Sequence, residues 1–274
     1  MEPAVTFFHS IWESIASTVE SIDGTAVWSS LIGAIGGSAG ASAVLLLNES
    51  RRRQRQSLAE FNAATAILGA HLTILINLKL QFAEPQFQEV RDLQALIDNT
   101  QQQPPRGRQG GPVRLELDKC VKLIPPYSDE FLVPFETISQ HADKDAGILQ
   151  LLIQSKEAFQ NLRHYISQKN EITEEMRRAR EDAASPAEKT EVILCYLNRR
   201  PVDGSYDDRL PSLSEAVLTT TDDALFFINK TYLALQDLAP KALPKRLHKN
   251  IAKVQIKDPQ KRAAIPPNDH LPGW

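Results

Sequence analysis

Glu171, Glu174 and Glu175 form the densest knot of carboxylates in a helical stretch of this chain. Acids this close are what a bundle metal site or an acid–base pair would draw on. A bundle metal site also needs a histidine three residues after a Glu, and both must face the interior. Neither condition is met, so these acids read as a solvated helix face. His141 and Asp143 stand beside Lys144 and Asp145 at a helix end, and a His–Asp pair in a loop reads as incidental. Cys195 lies in an apolar run, where burial raises a thiol pKa and makes it inert. The six histidines lack the spacing of a metal site, and there is no Cys-x-x-Cys. No P-loop, G-x-G-x-x-G, G-x-S-x-G or H-E-x-x-H occurs. The expectation is a protein that is not an enzyme and takes no metal or cofactor.

The residues with a readable physical task are elsewhere. Thr25 to Leu47 run for twenty-three positions without a charge, and Arg51, Arg52, Arg53 and Arg55 follow. A bilayer core about 30 Å thick needs about 20 apolar residues of helix to cross it. The segment reads as a transmembrane helix with a basic stop. The 24 residues before it hold no Lys or Arg and four acids, Glu2, Glu13, Glu20 and Asp23. Basic residues stay in the cytoplasm, so the N-terminus is expected outside the inner (plasma) membrane and the rest inside. A cleaved signal peptide is a competitor, with Ala41-Ser42-Ala43 as its site, but its basic start is missing. A buried helix of a soluble bundle is another, because the segment is rich in Gly, Ala and Ser.

Small residues in the span fall on one stripe: Ala26, Ser30, Gly33, Gly37 and Ala41. Gly33 to Gly37 is a G-x-x-x-G, and Gly36 to Gly40 is a second, one residue out of register. Small residues let membrane helices approach closely, so homo-oligomerisation through the span, or pairing with a partner helix, is expected.

The remaining elements read as helices. Residues 4 to 22 carry Phe8, Ile11, Trp12, Ile15 and Val19 at helical spacing and form an external amphipathic segment, residues 1–24. After the span (25–47), residues 48–99 hold the basic stop and stalk helices. The stalk stripe is Leu58, Phe61, Ile67, Leu68, Leu72, Leu75 and Leu78. Phe61 to Leu80 is apolar enough to suggest a second span and a hairpin, against which Asn62, His71, Asn77 and Lys79 argue. One long helix from membrane into stalk is the preferred reading. A helix from Pro85 to about Asp98 follows, then a Gln/Pro/Gly linker at 100–112.

Residues 113–239 are expected to be a cytosolic helical domain, making a mainly α bundle of about five or six helices. Val113 to Leu123 alternates as a short strand or irregular segment, and Phe131 to His141 as a short helix. Ala146 to about Ala183 is a long helix with Ile148, Leu151, Leu152, Ser155, Phe159, Leu162 and Ile166 on one face. Its charged far end, Glu171 to Glu181, is expected to project into water, with Glu174 and Arg178 paired. Ser185-Pro186-Ala187-Glu188 is a capping box that opens a helix to Asn198. Arg199 to Pro211 reads as a loop. Ser212 with Glu215 reads as a second capping box, opening a helix that ends near Leu238 before Pro240 and Pro244.

Charge is uneven. The whole chain is at −3, residues 56–239 carry a net −8, and residues 240–274 carry +6. A folded body this acidic is not expected to bind nucleic acid. The tail at 240–274 reads as basic and partly disordered. Its Lys241, Lys245, Arg246, Lys249 and Lys253 are candidates for touching anionic lipid or an acidic protein partner.

The order of features resembles that of uncharacterised bacterial single-pass membrane proteins with a cytosolic helical domain. The residues that carry the likeness are Leu31 to Leu47, Arg51 to Gln56, Asn77-Leu78-Lys79 within Phe61 to Leu80, Pro125-Pro126-Tyr127, and the helix with Phe159, Tyr165 and Asn170. The resemblance implies a fold and a location, and no site residues. Two functions are expectations: a membrane-anchored, self-associating interaction or scaffold protein, or a membrane-disrupting effector of a stress or phage-defence system with a cytosolic sensing domain.

Overall fold

The computed structural model describes residues 25–102, 122–125, 147–197, 201–202, 205–253, 256–267 and 270, with side chains from Val44 onward except at 100–102, 201–202 and 205–206. The amphipathic segment at 4–22, most of the 113–123 stretch, the helix expected at 131–141, and Cys120, His141 and Asp143 lie outside these residues. The protein is mainly helical. Its helices are α1 (Thr25–Leu78), α2 (Glu84–Gln102), α3 (Gly147–Asp182), α4 (Pro186–Tyr196), α5 (Arg209–Ala242) and α6 (Pro259–Ala263). A π-helical turn at Lys79–Ala83 joins α1 to α2, and a 3₁₀ turn occupies Lys245–Asn250. A two-residue antiparallel ladder pairs β1 (Pro201–Val202) with β2 (Ser205–Tyr206). By packing the chain divides into two units, Met1–Arg55 and Gln56–Trp274.

The second unit is organised by a repeating three–four spacing. In α3 a buried seam runs through 148, 152, 155, 159, 162, 166, 169, 173 and 176, with Ala158 and Ile172 buried beside it. In α5 the seam runs through 210, 214, 217, 221, 224, 228, 231, 235 and 238, with Leu225, Phe226, Tyr232 and Ala239 also buried. Each series alternates steps of four and three without a break, the period that keeps one seam of a helix facing its neighbour. These two helices pack extensively against each other. Phe61, Leu68, Leu72 and Leu75 of α1 complete this core with Leu152, Phe159, Leu162, Ile228 and Leu235. Burying each of these side chains contributes about 1.5–3 kcal/mol of transfer free energy.

Several seam positions are hydroxylated. Ser155, Thr173, Ser214, Thr221 and Thr231 each donate to the carbonyl four residues back. Their O–H groups are thereby satisfied within their own helix, which makes burial tolerable. Ser155 and Thr231 also meet across the α3–α5 seam at 2.8 Å.

The continuity of α1 bears on the hairpin alternative. The helix runs from Thr25 to Leu78 without a turn, so no loop exists at Arg51–Arg55 to reverse the chain. Within Phe61–Leu80, Phe61, Leu68, Leu72 and Leu75 are core residues. His71 is buried there too, edge-on to the Phe159 ring with centroids 5.5 Å apart. The end of this helix is set by Pro85. Proline lacks the N–H for an α-helical bond and crowds the carbonyl four residues back. The chain widens by one residue just before it, where the Glu84 amide donates to the Lys79 carbonyl, and then continues helically past Asp98 into what was expected as linker.

Three other boundaries differ from expectation. The charged far end of α3 does not simply project into water. Ile172 and Met176 are buried against Val90, Leu93, Ile97, Ile193, Leu197 and Leu210 in a second core. Two apolar side chains on the inner seam outweigh the charges around them, because those charges sit on the outer face. The Ser185 cap forms as expected, with Glu188 N–H to Ser185 Oγ at 3.2 Å and the Glu188 carboxylate returning to the Ser185 amide at 3.4 Å. The Ser212–Glu215 cap does not form. Helix α5 starts three residues earlier, at Arg209, and the Ser212 amide bonds the Asp208 carbonyl at 3.0 Å. Leu210 is buried in the second core, and Pro211 is third in the helix, where a missing N–H costs nothing. At the other end α5 passes through Pro240 to Ala242.

Candidate functional site

In the first unit, Val44, Leu45, Leu46 and Leu47 are 55, 68, 67 and 58 % exposed. Four successive helical residues about 100° apart point to every side of the helix. An aliphatic collar of this kind has no inner face to bury, unlike the buried seam along α3. One turn further on, Arg51, Arg52, Arg53 and Arg55 are all exposed, and Arg53 pairs with Glu49 at 2.5 Å. The backbone at Ala26, Ser30, Gly33, Gly36, Gly37, Gly40 and Ala41 is helical, while their side chains lie outside the described set.

Val44–Asn99 is long and apolar enough to cross a membrane, and half of its most apolar window is buried inside the protein. That window is the core stretch around Phe61–Leu78, since any such window that took in 44–47 would also take in Glu49 and the four arginines. The collar at 44–47 lies outside that window and is exposed.

In the second unit the sequence left several polar residues without a role. Lys169 is 0 % exposed on the α3 seam, and its ammonium donates to Gln86 Oε1. Gln86, also buried, donates in turn to the Lys122 carbonyl at 3.0 Å. Asn170 holds the next backbone unit at two points. Its Oδ1 accepts from the Ile124 amide at 2.8 Å and its Nδ2 donates to the Ile124 carbonyl at 2.7 Å. The Ile124 side chain is buried in the main core. The signal for Lys169 was available: it falls three positions after Ile166 on an otherwise apolar seam.

Glu175 is more than a solvated acid. It accepts from the Tyr196 hydroxyl at 2.9 Å and from Arg209 at 3.2 and 3.4 Å. Arg209 also grips Asp207 at 2.8 Å. The cluster ties α3, the end of α4 and the start of α5. Burial, and then the bond to Glu175, pushes the Tyr196 phenol up to about 12. The hydrogen bond from Arg209 holds the Asp207 carboxyl below its ordinary value. Glu174 is lowered by its bond with Arg177, which also reaches Glu181 at 2.5 Å. The expected partner Arg178 is further off, at 3.7 Å. The Glu175 cluster is a clamp between elements, while the Glu174–Arg177–Glu181 pairs lie within α3. Among the described residues no group of three His, Cys, Asp or Glu side chains is placed to hold a metal ion. Cys195 is half-buried and takes part in no disulfide.

The described part of the tail is ordered. Leu243 and Ala264 are buried, and Ile251, Ile256 and Ile265 pack on the main core. Gln236 donates to the Ala252 carbonyl at 2.8 Å, and Asn62 holds Asn250 and Ala252. Asp222 and Asp223, which carried no recognisable role in the sequence, both act on the fold's last segments. Asp222 pairs with Lys79 at 2.7 Å, Lys79 donates to the Ala264 carbonyl at 3.1 Å, and Asp223 meets His270 at 3.1 Å. Lys241, Lys245, Arg246, Lys249 and Lys253 are exposed on this ordered segment.

Comparisons with known proteins return nothing similar: no family model, no curated protein and no solved structure matches the chain.

Proposed function

We propose that this is a membrane-anchored interaction protein without catalytic activity. In this reading residues 25–47 cross the inner membrane once, with the N-terminus outside and the helical unit from Gln56 in the cytoplasm. The observation that carries it is the exposed collar Val44–Leu47 set one turn before four exposed arginines. In water each exposed large aliphatic forgoes about 1.5–3 kcal/mol of burial. In hydrocarbon the same collar needs no protein cover, and the arginines hold the cytoplasmic boundary. The polar residues of the second unit support the interaction role. Lys169, Gln86, Asn170, Glu175 and Arg209 spend their hydrogen bonds fastening one element to another.

Self-association is proposed through the small-residue stripe of the span, with Gly33 and Gly37 at its centre. The test is expression of the full chain in a bacterium, followed by alkaline carbonate extraction and cross-linking in mild detergent. The expected result is retention in the membrane fraction, a cross-linked oligomer and normal membrane potential. Release by carbonate would overturn the anchor. Loss of membrane potential on expression would replace the scaffold reading with that of a membrane-disrupting effector.

A further inference from the structure

We propose that the ordered tail is a docking surface for an anionic bilayer, an inference that rests on the single-span reading above. From Leu238 to Lys257 the chain carries six Lys or Arg and no acid. Lys245, Arg246, Lys249 and Lys253 are exposed. Arg246 and Lys249 are three apart within the 3₁₀ turn Lys245–Asn250, and positions i and i+3 of such a turn share one face.

The fold holds this segment in place. Leu243 is buried at its start, and His248 Nε2 meets the Leu243 carbonyl at 3.0 Å. Asn62 and Gln236 fix the backbone at 250–252. A tethered cation loses less freedom on docking than one on a floating chain, so the attraction is less offset by ordering.

The charge distribution selects the partner. Surface potential of an anionic leaflet decays over about 8 Å at physiological salt, so these cations must approach the headgroups directly to gain from it. The body of the unit, at −8 over residues 56–239, is repelled by the same surface. Attraction at one end and repulsion elsewhere orient the unit with the tail toward the bilayer. Nucleic acid would meet the same repulsion without the benefit of tethering.

The experiment uses the full chain in phosphatidylcholine vesicles, with or without phosphatidylserine. Surface amines are acetylated briefly and mapped by mass spectrometry. Modification of Lys245, Lys249 and Lys253 should slow about fivefold in phosphatidylserine vesicles, roughly the factor one cation at an anionic surface contributes. High salt should restore it. Lys156 and Lys189, exposed on α3 and α4, should react equally in both vesicles. Equal reactivity of the tail lysines in both lipids, with the chain still carbonate-resistant, overturns the docking surface and leaves the anchor standing. Slowing of Lys156 and Lys189 to the same degree also overturns it. Failure of the chain to stay with either vesicle removes the anchor and the docking surface together.

Discussion

Asn62 and Ala252 are joined by a 2.7 Å hydrogen bond from the Ala252 amide to Asn62 Oδ1. The Nδ2 of the same side chain donates to the Asn250 carbonyl at 3.1 Å. One carboxamide on α1 thus closes the backbone of a segment 190 positions later. Asn62 is a polar interruption in an apolar helix, and it serves a distant strap of chain instead of solvent. Replacing it with Leu leaves two backbone groups without their partner, at about 1–3 kcal/mol where the site is shielded from water. Amide exchange at Ala252 should accelerate in Asn62→Leu, and Asn62→Asp, which keeps the acceptor, should retain protection at Ala252. Unchanged exchange in the Leu variant would mean that the strap is held by Leu243 and Ile251 alone.

Tyr196 provides a pH-dependent contribution. Its phenol is raised to about 12 in the folded protein by burial and the bond to Glu175, against about 10 in an unfolded chain. The folded state therefore keeps the proton that the unfolded state releases. The contribution is fully present below pH ~10 and fades as pH rises toward ~12. Chemical unfolding at a series of alkaline pH values should show a steeper loss of stability for the native chain than for Tyr196→Phe. Parallel curves would show that the Tyr196–Glu175 contact carries no proton linkage.

The small-residue stripe is tested at Gly37. A bulky side chain there should hold apposed helices apart, and Gly37→Ile should weaken association by about 1–3 kcal/mol, the usual scale of overpacking. Ile35→Val, on the opposite face of the span, should change little. Cross-linking in detergent reads both. Equal oligomer yield from native and Gly37→Ile chains would reduce the span to a simple tether.

Topology is tested with thiols. In intact cells a membrane-impermeant maleimide should leave Cys120 and Cys195 unmodified, and should label a Ser17→Cys variant. A Ser205→Cys variant, on the β1–β2 ladder, should stay unlabelled until the cells are opened. Labelling of Ser205→Cys in intact cells would place the helical unit outside.

Much of this architecture was legible in the residues themselves. The three–four rhythm of Ile148 to Ile166 announced α3, and Ser185 with Pro186 and Glu188 announced the start of α4. These signals are local: a helix face and a cap are complete within one or two turns, so neighbours in sequence suffice to specify them. The uncharged run at 25–47 and its arginine flank were legible for the same reason.

What only the tertiary structure decided is where long-range partners compete with local preference. Ser212 and Glu215 are good capping residues, yet α5 begins at Arg209, because Leu210 reaches the second core and Arg209 is held by Asp207 and Glu175. Ile172 and Met176 sit in a charged run, and only the arrival of α2 and α4 gives them something to pack against. The basic tail has the composition of a solvated chain, but Asn62, Gln236 and Lys79 satisfy its backbone and Leu243 and Ala264 enter the core. Each of these outcomes depends on a contact between residues far apart in the chain. The sequence determines which contacts can form, but their energies are realised only when the helices have brought both partners together.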